Sequence, residues 1–214
     1  GIVSIVYGAA VAMAQTDFKK LVAYSSVSHM GWVMLGLAIT PILFAKSGNY
    51  AGFNGAMFQM VAHGLSSAMM FFLVGVIYDR AHHRDLNRFG GLALAMPVYF
   101  GLAIVGFFAG MGLPGTAGFV GEVFVLFAAI DHNPWLAVAA AIGMVLTAGY
   151  ILWMIQRVYL GPRRKENDSY APMTAREVIV LVPMGLFAIA LGIYPKLATM
   201  FYDGTLVNIC SMFK

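Results

Sequence analysis

The stretch Gly110-Met111-Gly112-Leu113-Pro114-Gly115-Thr116-Ala117-Gly118 decides how this chain is read. It lies inside residues 89–130, a run of 42 residues whose only formally charged member is Glu122. A membrane-spanning helix needs about 20 apolar residues, so this run is either two spans or one interrupted span. Pro114 lacks an N–H and clashes with the preceding turn of a continuing helix, and glycine adopts backbone angles closed to other residues. The stretch therefore reads as a helix broken in mid-membrane at 112–118. Unpaired backbone at that depth is tolerated only where protein buries it or where it lines a wet cavity. A plain turn between two full helices is the alternative.

Outward from this stretch the chain is a series of apolar runs, at residues 1–15, 21–45, 51–78, 134–156 and 178–194. Loop charge chooses between one crossing and two for residues 89–130. Ten of the thirteen basic residues fall in three clusters: Lys19 and Lys20; Arg80, Arg84 and Arg88; and Arg157, Arg163, Arg164, Lys165 and Arg176. Only Lys46, Lys196 and Lys214 lie elsewhere. A single crossing puts all three clusters on one side, which the positive-inside rule names cytoplasmic. A double crossing throws the largest cluster outside. The expected fold is thus all-α, a polytopic transmembrane bundle of about six spans over residues 1–194, with a C-terminal tail at 195–214. Basic loops 17–20, 79–88 and 157–176 are expected on the cytoplasmic side. Trp135, Trp153 and Tyr159 flank the fifth run, as interface anchors would.

Composition agrees. Of 214 residues, 61% are hydrophobic and 10% charged, where a soluble chain is nearer half apolar and a quarter charged. The net charge of +4 is carried by short loops, so membrane orientation explains it and nucleic acid does not. The single Cys210 offers no disulfide framework and no thiolate cluster. Gly1 stands inside an apolar run with no initiator Met, basic region or cleavage site. It reads as the cut end of a longer chain and not as a signal peptide.

Against this background a few polar residues stand out. An acid near the middle of a span costs about 2.5–3.5 kcal/mol on the insertion scale and commonly marks an ion path. Glu122 lies seven residues after Gly115, about two turns into the second half-helix. It is the candidate proton-exchanging carboxyl; an acid solvated or paired at the outer interface is the bland alternative. His63 sits in a charge-free run with Gln59 one turn earlier on the same face. It can relay protons through water or merely link helices by a hydrogen bond. Tyr24, Ser25, Ser28 and His29 recur at three- and four-residue spacing, which predicts one polar face lining a hydrated path or bonding to neighbouring helices. Lys19 and Lys20 follow Asp17 at a membrane boundary; orientation and lipid contact explain them, and an inner proton inlet is the sharper reading. His82, His83 and Asp85 do not converge on one face, so no metal is expected there. Phosphate-binding, nucleophile-elbow and haem-type motifs are missing too, so no cofactor is expected in this chain.

Three motifs carry a resemblance. Residues 15–31 (QTDFKKLVAYSSVSHMG) are similar to a signature of the antiporter-like subunits of respiratory complex I, NADH:quinone oxidoreductase. Ala62-His63-Gly64-Leu65-Ser66 resembles a second signature, and residues 112–122 (GLPGTAGFVGE) resemble a third, in the family's order and approximate spacing. Among those subunits the likeness is nearest to the M-type chain, the chain-4 type of mitochondria. That type has Glu where the L- and N-type chains carry Lys, and Tyr78-Asp79-Arg80 with its His-rich loop looks like it too.

The resemblance implies a proton-translocating membrane subunit of about fourteen helices, of which these runs are helices nine to fourteen. It implies proton-channel groups at His29, His63 and Glu122. It also implies that NAD, FMN, iron–sulfur and quinone chemistry lies in partner subunits. The expected partners are the other membrane subunits, especially neighbouring antiporter-like chains, with lipid and protons; the expected location is the bacterial inner membrane. The family's earlier acid and two lysines would precede Gly1. Two rivals stand beside this reading: a cation/proton antiporter or membrane-bound hydrogenase of the same fold, and a structural membrane scaffold.

Overall fold

The computed structural model describes residues 1–164 and 170–212. Lys165 and Lys214, counted above among the basic residues, lie outside the described residues, as does the rest of the polar stretch 165–169. The regular elements of the described residues are helical: α1 (Ile2–Met13), α2 (Phe18–Ser47), α3 (Ala51–Ala81), a 3-10 turn (Leu86–Arg88), α4 (Leu92–Ala95), α5 (Pro97–Met111), α6 (Ala117–His132), α7 (Pro134–Val158), α8 (Ala175–Ile193), α9 (Lys196–Thr199) and α10 (Asp203–Ser211). Four of these, α2, α3, α7 and α8, are each long and apolar enough to cross a membrane alone. The chain is a multi-pass membrane protein.

Local chemistry sets the helix ends. The Asp17 carboxylate caps α2 by accepting from the Lys20 N–H at 3.0 Å, and Gly48 stops the helix in the left-handed region at φ 71°. Pro134 occupies the first turn of α7, where its missing N–H costs nothing, and the Asn133 side chain accepts from the Trp135 N–H. Thr174 and Glu177 form a reciprocal capping box at the start of α8.

The helix connections define two ends of the bundle. At one, the Phe18 N–H donates to the Arg84 carbonyl and the Leu86 N–H to the Thr16 carbonyl, both at 2.8 Å. The Ala93 N–H donates to the Tyr159 carbonyl, and Arg84 pairs with Asp17 at 3.3 Å. Arg80 joins α3 to the lead into α8 at this same end. At the other end Asn49 donates to Asp131 at 2.8 Å, and Tyr202 and Asp203 both meet Asn54. The described members of all three basic clusters therefore sit at the first end, called here the basic end. The run 89–130 starts at the basic end and finishes at the opposite one, so it crosses once.

Two interruptions let 42 residues make one crossing. The first was not foreseen: Met96 (φ −137°, ψ 73°), kept out of the helical region by the proline after it, separates the short α4 from α5. Leu92 and Met96 are buried there, so α4 is packing material at the basic end and not part of the span. The second is the expected break. The α5 helix stops at Gly112 (φ 74°), the chain turns through Gly115 (φ 93°), and α6 begins after Thr116. Thr116 ties the turn shut, donating from its N–H and its hydroxyl to the Leu113 carbonyl at 3.0 and 2.8 Å. Gly192 of α8 lies flat against Gly115 and Thr116, where any side chain would collide with their backbone. Gly192 thus covers one side of the break, while Leu113, Pro114 and Gly115 remain exposed on the other.

One expectation needs correction. Tyr159 is no interface anchor: it is fully buried, and its hydroxyl donates to the Tyr99 hydroxyl at 3.2 Å. A ring near a helix end tells nothing of which way that end faces, and here Tyr99, Phe100 and Phe107 of α5 pack against it. Trp135 is 79% exposed, and Trp153 is partly exposed under the Arg157 guanidinium, 4.1 Å from its ring centroid. Residues 195–212 form the two short helices α9 and α10; Leu206 and Cys210 are buried in one apolar cluster with Phe53 of α3.

Candidate functional site

Glu122 is 2% exposed, deep in the bundle. It sits one and a half turns into α6, and its carboxyl is aimed back at the break. A Cβ on Gly112 would stand 2.8 Å from Glu122 Oε2. Glycine is required there twice over, by the positive φ and by the carboxyl. Glu122 Oε2 receives no hydrogen bond from the described residues. The next residue back, Gly121, brings α6 into direct contact with Gln59 of α3, which is itself buried with its amide oxygen unpartnered.

One turn along α3 from Gln59, the His63 ring lies against the ring of His29 on α2, centroids 5.1 Å apart. His29 is 1% exposed, beside the Gly110 backbone on the last turn of α5, and neither ring nitrogen makes a hydrogen bond of good geometry among the described residues. His63 is only partly buried, with Nδ1 unpartnered. Four segments thus converge: α2 with His29, α3 with Gln59 and His63, the end of α5 with its glycines, and α6 with Glu122. No lysine or arginine is paired with Glu122 among the described residues.

Buried polar atoms in folded proteins almost always have partners. Here the carboxyl, the amide and two imidazoles all keep unsatisfied atoms in one region beside a broken helix. Water is the ordinary partner of such groups. Linked by water, a carboxyl and two imidazoles are groups that can take up and pass on protons.

Of the residues singled out from the sequence, the fold brings together His29, His63, Gln59 and Glu122. It does not bring in Lys19 or Lys20, which are exposed at the basic end. The polar face expected on α2 is only partly there. Ser25 and Ser28 are buried, but their hydroxyls are spent on the Val22 and Ile5 carbonyls at 2.7 and 2.8 Å, and Tyr24 is 39% exposed. His82 closes α3 in the left-handed region, and the His83 ring stacks on Phe89. Several buried polar residues were not singled out, among them Thr40, Thr147 and Tyr150. Tyr150 of α7 is fully buried, and its hydroxyl makes no hydrogen bond of good geometry among the described residues. A tyrosine inside an apolar run carries no charge and no motif, so nothing in the sequence marked it.

Comparison with known proteins places this arrangement. Residues 1–147 match the transmembrane family described as NADH:quinone oxidoreductase/Mrp antiporter. NADH-quinone oxidoreductase subunit M of Rhodobacter capsulatus is 44% identical over 198 residues, which cover 92% of this chain and 37% of that one. NAD(P)H-quinone oxidoreductase chain 4 1 of Synechococcus sp. (strain JA-3-3Ab) is 38% identical over 224 residues, covering 100% of this chain and 41% of the relative. A chain of respiratory complex I from Thermus thermophilus with bound NADH superposes with a TM-score of 0.86 at 31% identity, over 99% of this chain and 42% of that one. A chain of the Mrp complex from Dietzia sp. DQ12-45-1b shares the fold, with a TM-score of 0.78 at 20% identity over 96% of this chain and 45% of that one. The chain spans about two fifths of the length of the curated relatives it matches. On the family match over most of its length, and on a bundle whose broken span faces a buried carboxyl, the chain belongs to the NADH:quinone oxidoreductase/Mrp antiporter transmembrane family.

Proposed function

We propose that the chain is a proton-translocating membrane subunit, or part of one, of an NADH:quinone oxidoreductase. Redox chemistry in other subunits, which hold the NAD, FMN, iron–sulfur and quinone sites, drives it, and no redox centre is assigned to this chain. The relatives named as subunit M and chain 4 support that assignment. The observation that carries it is the meeting of Glu122, Gln59, His63 and His29 beside the Gly112–Thr116 break, each with a buried polar atom that has no hydrogen-bond partner among the described residues.

The mechanism is local. Charge rearrangement arriving from neighbouring membrane subunits changes the affinity of Glu122 for a proton. His29 and His63, with ordered water, carry protons along the middle of the membrane toward it. The break gives the carboxyl room to move and water room to enter. Release follows on the side away from the basic end, which lies in the cytoplasm of a bacterial inner membrane. A cysteine in place of exposed Asn87 is then labelled from the cytoplasmic face alone; labelling from the opposite face refutes the orientation.

Glu122→Gln tests the role, because the amide keeps the size and polarity of the side chain and loses the titrating proton. In an assembled complex that still reduces quinone, protons moved per electron are expected to fall. Unchanged stoichiometry refutes the proposal.

A further inference from the structure

The start of α8 leaves a groove against α3 at the basic end, about 850 Å³ in volume. The sequence builds its α3 wall at helical spacing. Ala68, Phe71, Phe72, Gly75 and Asp79 recur every three or four residues, so they fall on one face of the helix. Gly75 is the opening in that wall: a Cβ there would meet nothing within 4 Å. Ala68 and Gly75 are exposed, and the two phenylalanines are half-buried.

Charge gathers only at the mouth of the groove. Asp79 lies two residues before α3 ends at Ala81, and Arg176 is the second residue of α8. Both line the groove and both are exposed. Glu177 lines it too, but its carboxylate is bound by Arg80 at 2.8 Å. Asp79 and Arg176 make no ion pair among the described residues. The groove thus offers one anion and one cation, each unmatched, over an apolar wall.

The depth of that wall suits one leaflet. Asp79 and Ala68 are eleven residues apart. At 1.5 Å per residue that is about 16 Å along the helix axis, and half the hydrocarbon core of a bilayer is about 15 Å. An occupant with its polar end at Asp79 and Arg176 therefore reaches the middle of the membrane beside Phe71 and Phe72. Within hydrocarbon an apolar wall gains nothing from a protein that a lipid tail does not supply, so the two charges at head-group depth decide the occupant. They fit a phosphate on Arg176 and an ammonium on Asp79. Phosphatidylethanolamine carries both groups on one molecule. Phosphatidylglycerol carries the phosphate and leaves the Asp79 carboxylate without a cation.

We propose that the groove between α3 and the start of α8 holds a phosphatidylethanolamine molecule. Its phosphate lies on Arg176, its ammonium on Asp79, and one tail runs over Gly75 and Phe72.

A benzophenone amino acid in place of Ala68 reports the occupant. The full assembled complex carrying it is reconstituted into vesicles of equal phosphatidylethanolamine and phosphatidylglycerol and illuminated, and the mass of the adduct identifies what was captured. The expected adduct is phospholipid, with phosphatidylethanolamine favoured about threefold, a ratio within reach of an exposed ion pair. Asp79→Asn is expected to abolish that preference. Gly75→Leu fills the groove without a clash and gains helix propensity, so it is expected to assemble and to lower lipid capture. Should Asp79→Asn fail to assemble, Gly75→Leu carries the test. An adduct with a neighbouring protein chain overturns the proposal. So does equal capture of the two lipids, a preference that survives Asp79→Asn, or undiminished capture in Gly75→Leu.

Discussion

The imidazole of His29 lies against that of His63, with ring centroids 5.1 Å apart and planes inclined at 59°. The two rings come from different helices and are 34 residues apart in the chain. A proton on one is within a single water of the other. If they form one serial link, breaking either breaks the link. His29→Gln and His63→Gln are each expected to slow translocation, and the double variant to be no slower than the worse single one. Residues in contact show such non-additivity. Losses that multiply would mean two independent routes. The measurement is protons moved per electron in assembled complex.

Gly112 is the residue on which backbone and carboxyl both depend. Alanine there must hold φ 74° and places its methyl 2.8 Å from Glu122 Oε2. The backbone strain alone is about 1–2 kcal/mol. Displacement of the carboxyl adds to that cost and impairs translocation. Gly48→Ala is the control, since its φ of 71° carries similar strain and nothing stands within 4 Å of the added methyl. Both variants are expected to lower the melting temperature of the complex, but only Gly112→Ala reduces protons per electron. Equal transport by both would separate Gly112 from the site.

Arg80 is the strongest single tie between α3 and α8. Its guanidinium forks onto both Glu177 oxygens at 2.9 and 2.8 Å and donates further to the Ala171, Pro172 and Val76 carbonyls. The pair is partly buried, at 9% and 16% side-chain exposure. Removing one partner of such a charged, hydrogen-bonded pair costs about 1.5–3 kcal/mol. Arg80→Ala is expected to fall in that range, with Arg80→Lys intermediate because an ammonium cannot make the fork. Thermal unfolding of the purified complex reads it out. Because α8 also covers the break through Gly192, loosening it should expose the Gly112–Thr116 segment to faster hydrogen exchange. Unchanged exchange there would show that α8 is held by other contacts.

Much of this protein is legible in its sequence. Span number follows from the length of charge-free runs, and the break at 112–118 from Gly and Pro, because both are properties of a few consecutive residues. The single crossing followed from the basic clusters, and the hydrogen bonds at the basic end agree with it. Even so, the α4 turn before Pro97 went unseen inside an apolar run that looked like continuous span.

The sequence alone determined which groups are able to titrate inside the bilayer and where the backbone must open, since charge and backbone freedom belong to each residue locally. Only the tertiary structure decided which of them meet. These helices are apolar nearly all round, so no hydrophobic stripe says which face turns inward. The rotation of each helix is set by contacts between residues far apart in the chain: Gly121 on Gln59, His29 on His63, Gly192 on the break. That rotation put Tyr24 and Lys19 outside and Tyr150 within, which no local pattern could express.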